Sequence, residues 1–208
     1  MQIVKIKQRT KSWLEFRRSH VCASDASIII GSNPYKTIEK LYDEKIKCYE
    51  QPMTSYMQRG IDLEPIALRE FEKETGLIMF PSVGVHDEFD WMAASFDGMT
   101  IEGDAIVEIK CPGKKDHAIA MQGEIPKHYF PQLQHQIHVS GLDFTYYYSF
   151  DGDKGIIIQV NRDQGFIDNL VAKEFEFWQS LATLNSPQTI CKTKRNENAA
   201  CTIPTGVS

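Results

Sequence analysis

Two acidic residues and one lysine stand at a spacing that could bind a metal ion. Asp97 ends one apolar run, and Glu108 and Lys110 lie in the next run, after a turn. Because side chains alternate along a strand, Glu108 and Lys110 point to the same side, and pairing of the two runs as a hairpin would bring Asp97 to them. Two carboxylates can hold a hard divalent cation, and the lysine can hold a water or a phosphate oxygen. A surface hairpin with ordinary charges fits the same short pattern, since such spacings are common.

Short helices are predicted ahead of this pattern. Ser12 can cap the first helix, and Ser24 with Asp25 can open the second. Thr37 can cap a third helix over residues 38–47, in which the apolar residues share one stripe. The first quarter of the chain is therefore predicted to be helical.

A longer fourth helix is predicted over about residues 55–75, with Gly76 as its carboxyl-terminal cap. Pro65 interrupts the pattern, so that we expect the helix to kink or restart there. Glu64, directly before the proline, would then stand at a break in the backbone, where a functional carboxylate is well placed. An ordinary solvated acid in a first helical turn fits the same position.

From residue 77 onwards the apolar pattern is that of strands, interrupted by a helical region and followed by a closing helix. Strands are predicted over residues 77–85, 91–96, 105–110, 144–150 and 155–160. Helices are predicted over 114–121 and 126–140, with Pro126 in the first position of the second, and over about 163–184. We predict an α/β fold with a central mixed sheet of about five strands flanked by helices, in one domain over residues 1–208 with an extended tail over 186–208.

Charge and cysteine content narrow the class of protein. The formal net charge is −5, but basic residues concentrate in the first 18 positions and acidic residues between positions 61 and 104. This asymmetry suits a polyanion held near a metal site, and it suits a merely uneven surface equally well. The five cysteines are scattered without a Cys-x-x-Cys pair, and no apolar run is long enough to span a membrane. We therefore expect a cytoplasmic protein with reduced thiols and no membrane partner.

A second polar group falls on the predicted helix 126–140. Tyr129, Gln132 and Gln136 share one face of that helix, where buried amides would need partners such as a phosphate or a metal-bound water. A polar helix surface fits the same pattern. His135 and His138 stand three residues apart and could bind a metal, but with no third ligand in view ordinary packing histidines are favoured.

These motifs together resemble the lambda exonuclease group, also called YqaJ-like viral recombinases, which includes phage alkaline exonucleases and belongs to the PD-(D/E)xK nuclease superfamily. The resemblance covers about residues 13–160 and depends on five motifs in a fixed order. They are Trp13-x-x-x-Arg17 with Ala23-Ser24, Arg59-Gly60 with Glu64-Pro65-x-Ala67, Ala94-Ser95-Phe96-Asp97-Gly98, Glu108-Ile109-Lys110-Cys111-Pro112, and Tyr129-x-x-Gln132-Leu133-Gln134. The resemblance implies a restriction-endonuclease-like core.

The resemblance also implies a metal site. Asp97 and Glu108, with the carbonyl of Ile109, look like the ligands of a catalytic Mg²⁺ ion, and Glu64 looks like the acid that completes a second metal position. Lys110 looks like the residue that orients the attacking water or helps to deprotonate it. Two ions are implied, with Mn²⁺ as a substitute, and bound metal would neutralise a carboxylate cluster that is otherwise repulsive.

Substrate contacts are implied by the same resemblance. Gln132 looks like polar support beside the water and the scissile phosphate, and Tyr129 looks like a contact next to it. Arg17, with Ser24 and Ser95, looks like a pocket for a terminal 5′ phosphate, since a guanidinium can bind two phosphate oxygens at once.

The activity implied by the resemblance is 5′→3′ exonuclease action on double-stranded DNA with 5′-phosphorylated ends. Such an enzyme would release 5′ mononucleotides and leave 3′ single strands for recombination by strand annealing, in a bacterial host cell and encoded by a phage or prophage. The family also implies a homotrimeric ring and a single-strand annealing recombinase as partner. Two alternatives stay open, namely a structure-specific or restriction-like endonuclease on the same core and a DNA-binding module without catalysis.

Overall fold

The computed structural model describes residues 1–47 and 52–184, so the predicted tail over 186–208 lies outside the described residues. The predicted α/β class is confirmed. Seven strands form a mixed sheet in the order β1-β3-β4-β5-β6-β7, with β2 paired to β4. The strands are β1 (Gln2–Ile3), β2 (Val21–Cys22), β3 (Phe80–Val85), β4 (Met92–Met99), β5 (Ile106–Lys110), β6 (Phe144–Phe150) and β7 (Gly155–Asn161).

Seven α-helices and one short 3-10 turn pack around this sheet in the described ranges. They are α1 (Lys11–Arg18), the 3-10 turn (Ala23–Asp25), α2 (Ala26–Ile29), α3 (Ile38–Lys47), α4 (Ser55–Thr75), α5 (Lys114–Ala120), α6 (Phe130–Ser140) and α7 (Gln164–Leu184). In the part of the chain that the structure describes, no helix has the length and apolar character needed to cross a membrane.

The sheet has two more strands than the sequence pattern predicts, and the ends of several strands differ from the prediction. β1 and β2 have two residues each, too few to show an alternating pattern. β4 continues to Met99, beyond the predicted end at residue 96, so Asp97 lies within a strand rather than at its end. The prediction of about five strands therefore holds for the five longer strands and misses the two short strands β1 and β2.

Helix boundaries differ from the prediction at three places. Thr10, not Ser12, caps α1, and its side-chain oxygen accepts a hydrogen bond from the Trp13 backbone N–H at 3.3 Å. α6 begins at Phe130, four residues after Pro126, so the predicted start was wrong. α4 is continuous through Pro65, so the helix does not restart there. Its predicted end is confirmed, because Gly76 adopts a left-handed conformation with φ of 73°.

The two faces of β5 meet different helices. Val107 and Ile109 pack with Phe71 of α4 in one buried apolar cluster. The alternate residues Glu108 and Lys110 point to the opposite face, which α6 covers, and Glu108 is only 3% exposed. The fold therefore buries a carboxylate between the sheet and α6, and such a group needs hydrogen-bond partners.

Candidate active site

Pairing of β4 with β5 brings the two acids of the opening motif together. The strands run antiparallel with Gly98 opposite Val107, which places Asp97 beside Glu108. Asp97 Oδ2 accepts a hydrogen bond from the Ile109 backbone N–H at 2.8 Å. Lys110 Nζ contacts Glu108 Oε1, so the structure confirms the predicted hairpin and the common face of Glu108 and Lys110.

Two glutamines of α6 complete the surroundings of Glu108. Gln132 Nε2 donates to Glu108 Oε1 at 2.6 Å, and Gln136 Nε2 donates to Glu108 Oε2 at 2.5 Å. Gln136 also donates to the Ser95 carbonyl at 3.2 Å. The sequence had placed Gln136 on the same face as Gln132 without giving it a role. Both oxygens of the buried carboxylate are therefore fixed by side chains from one helix.

Burial and neighbouring charges shift the pKa values of Asp97 and Lys110. Burial, followed by the negative charges of Glu108 and Glu64, raises the pKa of Asp97 well above its usual value. Burial lowers the pKa of the Lys110 ammonium, but the negative charges of Glu108 and Asp97 outweigh that effect and the pKa is raised. Lys110 is therefore protonated at neutral pH in this arrangement, which suits orienting a water or phosphate better than accepting a proton.

Glu64 joins the cluster from α4 and is paired with an arginine that the sequence did not single out. Arg9 donates to Glu64 Oε2 at 2.5 Å. Arg9 has φ of 64°, and across the described ranges it is the one residue other than glycine with a positive φ. Burial and Glu108 raise the pKa of Glu64, whereas Arg9 and Lys110 lower it, and the net change is upward. Strained backbone next to such a cluster is typical of functional sites.

The predicted phosphate contacts surround one small cavity. Arg17 donates to Ser24 Oγ at 2.7 Å, and its guanidinium lies 4.6 Å from the centre of the Trp13 ring. Trp13 Nε1 donates to Ser95 Oγ at 2.9 Å. The cavity has a volume of about 150 Å³ and is also lined by Asp97, Glu108 and Gln132. The structure thus brings the predicted anion pocket and the acidic cluster together, and it adds Trp13.

Tyr129 lies beside Lys110 and is not among the described residues that line this cavity. The centre of its ring is 5.3 Å from Lys110 Nζ, a distance that permits a cation–π interaction. His135, by contrast, is fully buried, and its two ring nitrogens lie 2.8 Å from Glu174 Oε1 and 2.9 Å from the Ala93 carbonyl. His135 therefore has no nitrogen available for a metal.

The donor set of the cluster fits a hard cation. Asp97, Glu108 and Glu64 supply carboxylate oxygens and Ile109 a carbonyl oxygen, which are the ligands that Mg²⁺ prefers. Over the described residues, no three His, Cys, Asp or Glu side chains stand close enough together to hold a metal as they are. The carboxylate oxygens are instead contacted by protein donors, among them Lys110. Burial and the neighbouring carboxylates raise the pKa of Asp97, and metal binding by these residues stays a prediction.

Comparison with known proteins assigns the chain to a family. The model of the YqaJ-like viral recombinase domain matches residues 12–143. The uncharacterized protein YqaJ of Bacillus subtilis (strain 168) is 31% identical over 175 residues, which cover 80% of this chain and 54% of that protein. The chain therefore spans about half the length of this relative.

Solved structures share the fold. LHK-Exo, an alkaline exonuclease from Laribacter hongkongensis, superposes with a TM-score of 0.74 at 22% identity, over 92% of this chain and 100% of that chain. The complex of LHK-Exo with dAMP superposes with the same TM-score at 21% identity, over the same shares of the two chains. A phage-related exonuclease from Haemophilus somnus 129PT has a TM-score of 0.62 at 16% identity, over 80% and 96% of the two chains. The match of the domain model over more than half of the chain shows that this protein belongs to the YqaJ-like viral recombinase family.

Proposed function

We propose that this protein is a Mg²⁺-dependent 5′→3′ exonuclease that digests double-stranded DNA from 5′-phosphorylated ends. The observation that carries the proposal is that Arg17, Ser24 and Ser95 line the same cavity as Asp97 and Glu108. An anion pocket next to a carboxylate cluster is the arrangement needed to hold a terminal phosphate while the neighbouring phosphodiester bond is cleaved. Family membership and the exonuclease structures with the same fold support this activity.

The pocket side of the cavity would hold the end of the DNA. The guanidinium of Arg17 can donate to two phosphate oxygens at once, and the hydroxyls of Ser24 and Ser95 can donate to others. Trp13 stacks against Arg17 and bonds Ser95, so the pocket is ordered before the substrate arrives. A terminal phosphate seated here would fix how far the strand enters and therefore which bond meets the acids.

The acidic side of the cavity would carry the reaction. Asp97, Glu108, Glu64 and the Ile109 carbonyl would hold Mg²⁺, which when bound supplies an activated water and neutralises negative charge on the phosphate in the transition state. Lys110, protonated and in contact with Glu108, would orient the water or a phosphate oxygen. Gln132 would support the same groups from α6.

The products and partners follow from the same proposal. LHK-Exo was solved in complex with dAMP, a mononucleotide, and release of 5′ mononucleotides is the corresponding product for this chain. The remaining 3′ single strand would pass to a single-strand annealing recombinase. A homotrimeric ring would allow a protein with net charge −5 to hold DNA, because basic residues can line a channel while acids face outward. Mn²⁺ is proposed as a substitute metal.

One assay tests the proposed activity against an endonuclease on the same core. Linear duplex with 5′-phosphorylated ends is incubated with the protein in Mg²⁺, in Mn²⁺ and in EDTA, beside closed circular duplex of the same sequence. We expect metal-dependent loss of linear duplex with release of mononucleotides and no loss of the circle. Digestion of the circle would favour the endonuclease, and an absence of digestion in either metal would contradict the proposal.

A further inference from the structure

A buried ion pair lies directly behind the proposed phosphate pocket. Lys45 of α3 and Asp25 at the end of the 3-10 turn are joined by a contact of 2.6 Å between Nζ and Oδ2. Their side chains are 7% and 5% exposed, whereas the neighbouring pair Lys47–Asp43 on the same helix is 66% and 56% exposed. Burying two charges is costly unless the donors and acceptors of both groups are hydrogen-bonded. The other hydrogen bonds of Lys45 and Asp25 therefore indicate what the pair does in the fold.

The Lys45 ammonium has three N–H donors and lies within hydrogen-bonding distance of three acceptor atoms on other residues. Besides Asp25 it donates to the backbone carbonyls of Arg17 and His20, both at 2.7 Å. The Arg17 carbonyl lies in the last turn of α1, where helical carbonyls lack partners and attract positive charge, and the His20 carbonyl lies just beyond the helix. Lys45 therefore fixes the backbone of the residue whose side chain lines the pocket.

Asp25 fixes the other wall of the pocket. Its Oδ2 also accepts the Cys22 backbone N–H at 3.0 Å, which closes the turn that carries Ser24. Ser24 Oγ is in turn the acceptor of the Arg17 guanidinium at 2.7 Å. A single buried ion pair thus joins the backbone of Arg17 to the turn of Ser24, and it does so without lining the cavity itself.

We infer that Lys45 and Asp25 are positioning residues that hold Arg17 and Ser24 at phosphate-binding distance and so set the preference for 5′-phosphorylated DNA ends. The inference rests on the pocket assignment in the proposed function, and it adds two residues that touch neither substrate nor metal ligands. Without the pair, the hydrogen bonds between α1 and this turn region would include the Arg17–Ser24 contact, which a phosphate must rearrange, and a long contact of 3.7 Å from Cys22 Sγ to the Arg17 carbonyl.

The ionic state of the pair supports this role. Burial raises the pKa of Asp25, but the positive charges of Lys45 and Arg17 outweigh burial and the pKa is lowered. Asp25 is therefore ionised at neutral pH, and both contacts of Asp25 described above are made by a carboxylate. Removing both charges of a buried ion pair avoids leaving one charge buried and unpaired, so loss of positioning can be separated from loss of folding.

The test compares variants by their binding preference. Duplex DNA labelled with a fluorophore and carrying either a 5′ phosphate or a 5′ hydroxyl is titrated in EDTA, and the ratio of the two dissociation constants is measured by anisotropy. The variants are Lys45→Met with Asp25→Asn, Asp25→Asn alone, and Lys45→Arg, which keeps the charge. Lys47→Met, on the same helix but in an exposed pair, is the matched control. Melting temperatures identify which variants are folded.

We expect the wild type and Lys47→Met to prefer the phosphorylated end equally. In the double variant, the ratio of the two dissociation constants should fall about tenfold. This is the change expected when a charge-assisted contact of about 1.4 kcal/mol is lost. Asp25→Asn should lose part of it and Lys45→Arg should retain most. A folded double variant or Asp25→Asn variant with the wild-type preference would overturn the inference, as would a wild type without preference. Because no cleavage is needed, a wild type that shows the preference but digests no DNA would contradict the proposed function alone.

Discussion

Replacement of Gln136 by leucine should reduce both stability and activity, because this side chain holds the buried Glu108. The change removes the donor to Glu108 Oε2 at 2.5 Å and the donor to the Ser95 carbonyl at 3.2 Å. A hydrogen bond to a charged group contributes about 1.5–3 kcal/mol. Gln136 Oε1 is itself buried without a partner, and its removal should return about 1 kcal/mol. The net loss is then about 0.5–2 kcal/mol, or about 1–8 °C in melting temperature for a domain of this size.

The effect on activity should fall on turnover. Glu108 would keep its contacts with Lys110 and Gln132 through Oε1 but lose the donor that fixes Oε2. A carboxylate free to turn holds a metal less well, so kcat in limiting Mg²⁺ should fall by about tenfold or more. KM for DNA should change little, since Gln136 is not among the residues lining the phosphate cavity.

Gln134→Leu is the matched control on the same helix. Gln134 is also fully buried, donates to the Asn161 carbonyl at 2.9 Å and accepts the Asp163 N–H at 2.8 Å. Its loss should lower the melting temperature by a similar amount and leave kcat unchanged, because it contacts no residue of the site. Wild-type kcat in Gln136→Leu, or an equal fall of kcat in both variants, would refute the reasoning.

Three further changes have defined outcomes. Lys110→Met should leave the protein folded and lower kcat by about 10²–10³-fold, the loss expected on removing one positioned donor, and a fall of less than tenfold would contradict its role. Gly98→Ala would place Cβ 2.7 Å from Met79 Cβ and 2.8 Å from Val107 Cγ1, so the free energy of unfolding should fall by about 1–3 kcal/mol, measured by urea denaturation. Asp25, whose pKa is lowered in the folded state, stabilises the protein above its unfolded pKa of about 3.9, and this contribution is lost as the pH falls through the folded pKa. Below about pH 4 the wild type should therefore lose more unfolding free energy than the variant with Asp25→Asn and Lys45→Met, and parallel pH curves would contradict this.

The chemistry of the hairpin could be predicted from sequence because it depends on local rules. Alternation along β5 places Glu108 and Lys110 on one face, and the short connection between β4 and β5 favours their antiparallel pairing. Gly76 marked the end of α4 for a similarly local reason, since a left-handed cap favours glycine. The family motifs then supplied Arg17, which no local rule connects to Asp97.

Contacts between distant segments could not be predicted. Arg9 reaches Glu64 across 55 positions and Gln136 reaches Glu108 across 28, and neither spacing follows a helical or strand period. In the sequence alone, Lys45 looks like an ordinary basic residue at the end of a helix. Its burial could not be predicted because it depends on how α3 packs against α1. The start of α6 was misplaced for a different reason, as Pro126 is a good first residue for a helix and here belongs to the preceding loop.

Mg²⁺-dependent digestion by the wild type beside Asp97→Ala tests the central claim most directly. The substrate is linear duplex with one 5′ phosphate, and released nucleotides are measured over time in Mg²⁺ and in EDTA. We predict release of 5′ mononucleotides by the wild type in Mg²⁺ only, beginning at the phosphorylated end, and no release by a folded Asp97→Ala variant. Release by Asp97→Ala at the wild-type rate, or equal release by the wild type in EDTA, would contradict the claim that Asp97 and its neighbours form a metal-dependent nuclease site.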